Sequence, residues 1–226
     1  MNYARHVLTH FRKDLLIEWR TKDSINGMLF FTLLVVVVFS LAFDPTAYPS
    51  IARQISGGLL WVALLFAAMT ALNQSWAREV RNHVLDAHRL VAAPASTLFV
   101  GKALANFIFV SAVEIVLAPI FAVFYNLHPL GQAWLLVVIL PLGTWALVVN
   151  GTFFAALSLR TRSRELMLPL ILFPISMPAL LAMIQATTAV LTGESEPGLW
   201  LKLLIAFDIV FTTLCVLLFD FLLRED

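Results

Sequence analysis

Two acidic residues, Glu114 and Asp208, interrupt long apolar runs and are the first candidates for chemistry in this chain. In a helix, each would lie about 15 Å from the end of its run, near the centre of a bilayer. A carboxylate there costs about 2.5–3.5 kcal/mol, so we expect a neutral acid with hydrogen-bonding partners, for which Asn106, Asn150 and Gln185 are candidates. Such acids either line a pathway through the membrane or hold helices together, and the sequence leaves both roles open.

The sequence contains none of the motifs that enzymes use for nucleotide or metal chemistry. Gly101 and Lys102 form its only Gly-Lys pair, and Ala103 stands where a P-loop needs a hydroxyl residue. His83 and His88 are five residues apart, a spacing that does not stack them on one helix face as a metal pair. We therefore expect no catalytic site, no directly bound cofactor and no metal site. If ATP drives this protein, another chain must hydrolyse it.

The composition indicates a membrane protein. Hydrophobic residues make up 61% of the 226 residues and charged residues 13%, with a mean hydropathy of +0.90. Soluble proteins have roughly 45–50% and 25%. This composition argues against a soluble domain, a disordered chain and a nucleic-acid-binding protein, and the single cysteine, Cys215, excludes an internal disulfide.

Six apolar runs are long enough to cross a bilayer, and we predict an all-α membrane protein with one transmembrane domain, residues 1–226. The predicted spans are about 25–43, 55–76, 103–126, 133–159, 166–191 and 199–223. Of the 15 Lys and Arg residues, 13 fall in alternate connecting segments and the termini, and only Arg53 and Lys202 lie on the other side. The positive-inside rule then predicts that both termini are cytoplasmic.

Residues 4–20 form a predicted basic amphipathic helix in the headgroup plane rather than a span. Phe11, Leu15 and Trp19 recur every four residues, and cations such as Arg12 lie mostly elsewhere on the helix. Two roles remain open for this helix. It is either a simple anchor in the membrane lipid or an elbow that positions the first span and borders a partner subunit.

A second amphipathic helix is predicted at residues 78–90, in the cytoplasmic connection between spans two and three. Val80 and Val84 lie at helical spacing with charges around them, and Pro94 stops the helix. A short helix of this kind either fills a groove on a soluble partner or is a solvated connector that carries charge.

The fifth span contains Pro169, Pro174 and Pro178, a density that removes several backbone hydrogen bonds and kinks a helix. The segment either bends between two states or holds a fixed kink.

Together, these features resemble the permease subunit of type-2 ABC exporters, and more specifically the cytochrome c maturation protein B family of haem exporter permeases. The resemblance extends over nearly the whole chain. The residues that carry it are Phe11-Arg12-Lys13-Asp14-Leu15, the run from Gly58 to Ala68, Ala93-Pro94, Val100-Gly101-Lys102-Ala103, and Leu168-Pro169-Leu170 with Pro174 and Pro178.

The resemblance implies a multi-pass protein of the bacterial inner membrane that couples ATP hydrolysis by a partner to haem export or to release of a haem-loaded chaperone. It implies four kinds of partner: an ABC ATPase of the cytochrome c maturation protein A type, a haem-handling membrane protein, a haem chaperone, and a second permease half in a homodimer or heteromeric complex. The resemblance implies that residues 78–90 are the ATPase-coupling helix, with Val84 and Leu85 as anchors and Arg78, Glu79 and Arg89 as contacts at the rim. Its named residues are Arg78, Glu79, Val80, Val84, Leu85 and Arg89.

Two other functions remain open at this stage. A permease for a lipid or glycan substrate would share the architecture, and a non-transporting scaffold could transmit ATP-driven motion without carrying cargo.

Overall fold

The computed structural model describes residues 3–82, 84, 94–127, 132–159 and 164–224. Its elements are α1 (Tyr3–Thr21), α2 (Asp23–Phe43), α3 (Pro49–Arg81), α4 (Ala95–Phe124), a 3₁₀ turn (Ala133–Leu135), α5 (Leu136–Ser158), α6 (Arg164–Thr192) and α7 (Gly198–Arg224). Six of these helices, α2 to α7, are long and apolar enough to cross a membrane. The prediction of an all-α membrane protein with six spans is confirmed.

Helices α3 and α4 extend further than the predicted spans. Helix α3 continues to Arg81, and α4 begins at Ala95 directly after Pro94. The prediction that a separate helix begins at Arg78 is therefore wrong: Arg78, Glu79 and Val80 form the last turn of α3. The end of the apolar run does not define the end of α3. Helical backbone hydrogen bonds continue into the polar residues that follow, because tertiary contacts stabilise the helix there.

The core forms where α3, α5 and α6 meet. Trp61 of α3 is fully buried, and its indole Nε1 donates a hydrogen bond to Thr187 Oγ1 of α6 at 2.9 Å. Gly143 of α5 lies directly against the indole ring, where a Cβ atom would overlap it. The most apolar window of α3 is 67% buried, against 17% for α2 and 22% for α7. Helix α3 is thus central, and α2 and α7 lie at the periphery.

The beginning of α4 lies beside the end of α7. The backbone N–H of Ser96 donates to Asp220 Oδ1 at 2.8 Å, so Asp220 satisfies a free amide at the N-terminus of α4. This contact is expected of helices that run alternately up and down. The assignment of that end of the bundle to the cytoplasm remains a prediction from the charge distribution.

Helix α6 runs without interruption through its three prolines. Pro174 and Pro178 are exposed on the outer side of the helix, and Pro169 is half-buried. Neither the bending role nor the fixed-kink role predicted for this segment is tested by this arrangement.

Candidate functional site: a buried charge cluster under the elbow helix

Charged side chains of α1, α3 and α4 converge at one end of the bundle, and we call this group the charge cluster. Its members are Lys13, Asp14 and Glu18 of α1, Arg78 and Glu79 of α3, and Lys102 of α4. Three cations face three anions. The site is therefore electrically balanced, as buried ionic groups need to be.

Lys102 lies at the centre of the charge cluster. Its Nζ is 2.9 Å from Asp14 Oδ2 and 2.7 Å from Glu79 Oε1, and it also donates to Ser75 Oγ at 3.1 Å. The ammonium lies 5.1 Å from the centre of the Trp76 ring, within range of a cation–π interaction. The side chain is only 1% exposed, so these contacts replace nearly all its hydration.

Lys13 adds a second cation to the same carboxylate of α3. Its Nζ lies 2.6 Å and 2.9 Å from the two oxygens of Glu79. Glu79 is thus shared by α1 and α4, and the three helices are joined through one carboxylate.

Glu18 ties α1 to the beginning of α2 and to the end of α3. Arg78 Nη2 lies 2.8 Å from Glu18 Oε2. Glu18 Oε1 accepts hydrogen bonds from the backbone N–H groups of Ser24 at 2.7 Å and Ile25 at 3.2 Å. Both amides lie in the first turn of α2, where the helix itself provides no acceptor for them. Burial acts to raise the pKa of Glu18, but hydrogen bonds from Arg78 and Ser24 and the charge of Arg78 outweigh it. The pKa therefore lies below its usual value, and the carboxylate is held ionised.

The cavity inside the charge cluster is small, about 70 Å³. Small-molecule sites typically have about 300–1,000 Å³. The charge cluster is therefore a junction between helices around a cavity smaller than this range. Val84 lines this cavity, whereas Val80 is 44% exposed.

The structure divides the predicted elbow residues into two groups. Phe11 and Leu15 pack against the core, whereas Arg12 is exposed and Trp19 is 76% exposed. Sequence reasoning missed the buried acids of this helix, Asp14 and Glu18. A signal was present in the sequence, because these acids are four residues apart and lie beside the packed Phe11 and Leu15.

The predicted coupling residues also differ in their surroundings. The sequence placed Arg78 and Glu79 on the rim of a docking surface, but both contribute to the buried charge cluster instead. Leu85 and Arg89 lie outside the described residues, as do His83 and His88. Contact between this segment and an ATPase stays a prediction.

The two acids inside the membrane have different environments. Glu114 Oε2 accepts a hydrogen bond from Thr144 Oγ1 at 2.7 Å. The expected partners Asn106 and Asn150 bond elsewhere, to Thr152 Oγ1 and to the carbonyl of Ala146, respectively. Asp208 is buried, and neither of its carboxyl oxygens has a hydrogen-bond partner among the residues that the structure describes.

Comparison with known proteins then identifies the family. A family model described as CcmB protein matches residues 5–224, a range that contains every helix of the bundle and all six residues of the charge cluster. The chain belongs to the CcmB family. The CcmB-family chain is 32% identical to Heme exporter protein B of Rhodobacter capsulatus over 169 residues, 75% of this chain and 76% of that protein.

Two further relatives match more of the CcmB-family chain. Heme exporter protein B of Pseudomonas aeruginosa is 28% identical over 207 residues, 91% of each chain. Heme exporter protein B of Bradyrhizobium diazoefficiens is 26% identical over 200 residues, 88% of each chain. With its six apolar helices, the CcmB-family chain is a multi-pass protein of the bacterial inner membrane.

Proposed function

We propose that this chain is the membrane permease subunit of an ABC transporter complex that exports haem for the biogenesis of c-type cytochromes. One observation carries the proposal: the CcmB family match extends over residues 5–224 and so includes the whole six-helix bundle. The relatives named Heme exporter protein B support haem as the cargo. We propose that the chain binds no cofactor itself and that a separate ABC ATPase subunit hydrolyses ATP.

The charge cluster suggests how force would reach the bundle. Helix α3 ends within residues 78–90, the segment we propose as the contact with the ATPase. A displacement at the end of α3 would act on α1 through the pairs Arg78–Glu18 and Glu79–Lys13, and on α4 through Lys102. These contacts are ionic and each has a buried carboxylate, so breaking them is costly. We propose that α1, α3 and α4 move together at this end.

The proposed partners are those expected of such a complex. They are an ATPase of the cytochrome c maturation protein A type, a haem-handling membrane protein, a haem chaperone and a second permease half.

Deletion of the gene should abolish the covalent haem signal of c-type cytochromes in membranes. A normal cytochrome complement after deletion would reject haem as the cargo and favour a lipid or glycan substrate.

Val80→Asp tests the ATPase contact more directly than an acidic substitution at Val84 would. Val84 lines the charge-cluster cavity, so an acid there would disturb the cluster as well as any docking surface. Val80 is 44% exposed at the end of α3, and a charge on it would oppose apolar docking. Affinity purification in mild detergent should recover the permease at normal yield with at least about tenfold less ATPase, since an apolar anchor contributes about 2 kcal/mol or more.

Thr21→Asp is the matched control, because it places the same charge on an exposed residue at the end of α1. This variant should retain the ATPase. Equal recovery of the ATPase with both variants would contradict docking at the end of α3.

A further inference from the structure

The outer side of α1 carries a row of alternating cationic and apolar side chains, which we call the exposed stripe. Its members are Arg5, Leu8, Arg12, Leu16 and Arg20. Each lies three or four residues after the one before it, so all five share one side of the helix. All five are exposed, whereas the opposite side of α1 packs on the bundle. The described part of the chain thus leaves the stripe open to another molecule.

The positive charge of the exposed stripe is not compensated within the described ranges. The acids of α1 are Asp14 and Glu18, and both are buried in the charge cluster, where they bind Lys102 and Arg78. None of the three arginines of the stripe forms an ion pair with a described residue. The stripe therefore presents three guanidinium groups to an anionic molecule outside the chain, and guanidinium binds phosphate particularly well.

Helix α2 fixes the depth at which α1 lies in the membrane. The 21 residues of α2 extend about 31 Å, which matches the hydrocarbon core of about 30 Å. One residue, Lys22, separates α1 from α2, and Glu18 binds the amides of the first turn of α2. The last turn of α1 therefore lies at the edge of the hydrocarbon core. Trp19 is 76% exposed in this turn, and tryptophan is enriched in the headgroup layer.

The packing of α1 on α4 keeps the exposed stripe near that depth. Val7 and His10 lie against Gly101, and Asp14 binds Lys102, the next residue of α4. Two turns of α1 thus contact one level of α4, so α1 crosses α4 at a steep angle. Because α4 spans the bilayer, α1 lies close to the membrane plane. The whole stripe then faces the layer that contains the lipid phosphates.

We propose that the exposed stripe binds anionic phospholipids, with its guanidinium groups on the headgroups and Leu8 and Leu16 among the first carbons of the acyl chains. A soluble acidic partner fits less well, because the leucines that separate the arginines lie at the depth of acyl chains and not of water. The inference does not depend on the cargo. It goes beyond a general anchoring role by naming the class of lipid that holds α1.

Cross-linking from within the exposed stripe tests this proposal. A photoreactive amino acid replaces Leu16, which lies one turn from Arg12 and one turn from Arg20. The purified complex is placed at low salt in nanodiscs of equal parts phosphatidylglycerol and phosphatidylcholine with identical acyl chains. Adducts with phosphatidylglycerol should exceed those with phosphatidylcholine about fivefold to twenty-five-fold, since each cation near an anionic surface raises affinity about fivefold.

The matched control carries the photoreactive amino acid in place of Val137. This residue is 75% exposed in the first turn of α5, a helix that contains no charged residue, and it should label the two lipids about equally. Equal labelling of the two lipids at position 16 overturns the proposal. So does a cross-link at position 16 to a protein subunit in place of lipid.

Substitution of the arginines tests whether they select the lipid. Arg12→Gln combined with Arg20→Gln should reduce the excess of phosphatidylglycerol at position 16 to about twofold or less. The control pair, Arg53→Gln with Lys202→Gln, removes two cations from the opposite end of the bundle and should leave the excess unchanged. An excess that survives loss of both arginines contradicts the proposal.

Replacing the same two arginines by lysine separates lipid selection from a folding defect. Arg12→Lys with Arg20→Lys keeps both charges and should keep most of the excess, and loss of the excess in this variant overturns the proposal. All of these positions are exposed, so the melting temperature should change little. Failure of the proposed function is a separate result, because normal c-type cytochromes after gene deletion would reject haem as the cargo and leave the lipid selectivity unaffected.

Discussion

At the scale of single residues, Lys102 is held by two carboxylates at once, Asp14 Oδ2 at 2.9 Å and Glu79 Oε1 at 2.7 Å. A buried ion pair adds little net stability over an apolar pair, because desolvation offsets most of the attraction. Removing one partner is far more costly, since it leaves the other charge buried without compensation.

Lys102→Met should therefore destabilise the protein by about 3–5 kcal/mol, because Asp14 and Glu79 both lose Lys102 and are left to share one cation, Lys13, at 3.3 Å and 2.6 Å. The measurement is the apparent melting temperature in detergent. Lys202→Met makes the same substitution at an exposed lysine of α7 and should change it little. Combining Lys102→Met with Glu79→Gln should cost less than the sum of the two single changes. Similar melting temperatures for the two methionine variants would contradict this account of the cluster.

At the scale of elements, α1 lies against α4 at Gly101. A Cβ atom there would come within 2.8 Å of both the Val7 carbonyl oxygen and His10 Cβ. Only a glycine permits two helices to approach this closely. The close approach brings Lys102, the next residue, within hydrogen-bond distance of Asp14 on α1. The packing of α1 and the formation of the charge cluster therefore depend on each other.

Gly101→Ala should displace α1 from α4 and weaken the charge cluster. The expected result is faster hydrogen–deuterium exchange of the amides in residues 3–21, since local opening of α1 becomes less costly. Gly27→Ala, on α2, is the matched control, because a Cβ atom at Gly27 meets nothing within 4 Å. The control should leave this exchange unchanged. Unchanged exchange in Gly101→Ala would show that α1 is held by other contacts.

At the scale of the whole molecule, the unequal distribution of charge predicts how the bundle is oriented. The end that carries the charge cluster contains the end of α3 and the beginning of α4, which border residues 82–93. At the opposite end, residues 44–48 connect α2 to α3 and residues 193–197 connect α6 to α7. Positive residues are concentrated near the first of these ends, as is typical of the cytoplasmic side.

Cysteine labelling checks the orientation in a Cys215→Ser background. Exposed Thr46 and Glu194, each replaced by cysteine, should react with a membrane-impermeant maleimide in intact spheroplasts. Thr21→Cys, at the end of α1, should react only after lysis, because α1 is predicted to lie on the cytoplasmic side. Labelling of Thr21→Cys before lysis would reverse the topology and place residues 78–90 out of reach of an ATPase.

The sequence by itself determined the number of spans and the class of fold. A bilayer requires about 20 consecutive apolar residues for each crossing, and this requirement is local in the chain, so six runs could be counted directly. The spacing also identified the apolar face of α1, on which Phe11 and Leu15 pack against the core and Trp19 is exposed.

Only the tertiary structure decided which polar groups meet. Lys13 and Glu79 are 66 residues apart, and Lys102 and Asp14 are 88 apart. The resemblance placed Arg78 and Glu79 at the rim of a docking helix, yet both are pairing partners in the charge cluster. The sequence likewise did not distinguish the two acids inside the membrane. Glu114 accepts a hydrogen bond from Thr144, whereas Asp208 has no hydrogen-bond partner among the described residues. The reason is physical: a pairing between distant residues depends on how closely helices approach, and that distance is set by contacts such as Gly101 against α1, which no local pattern records.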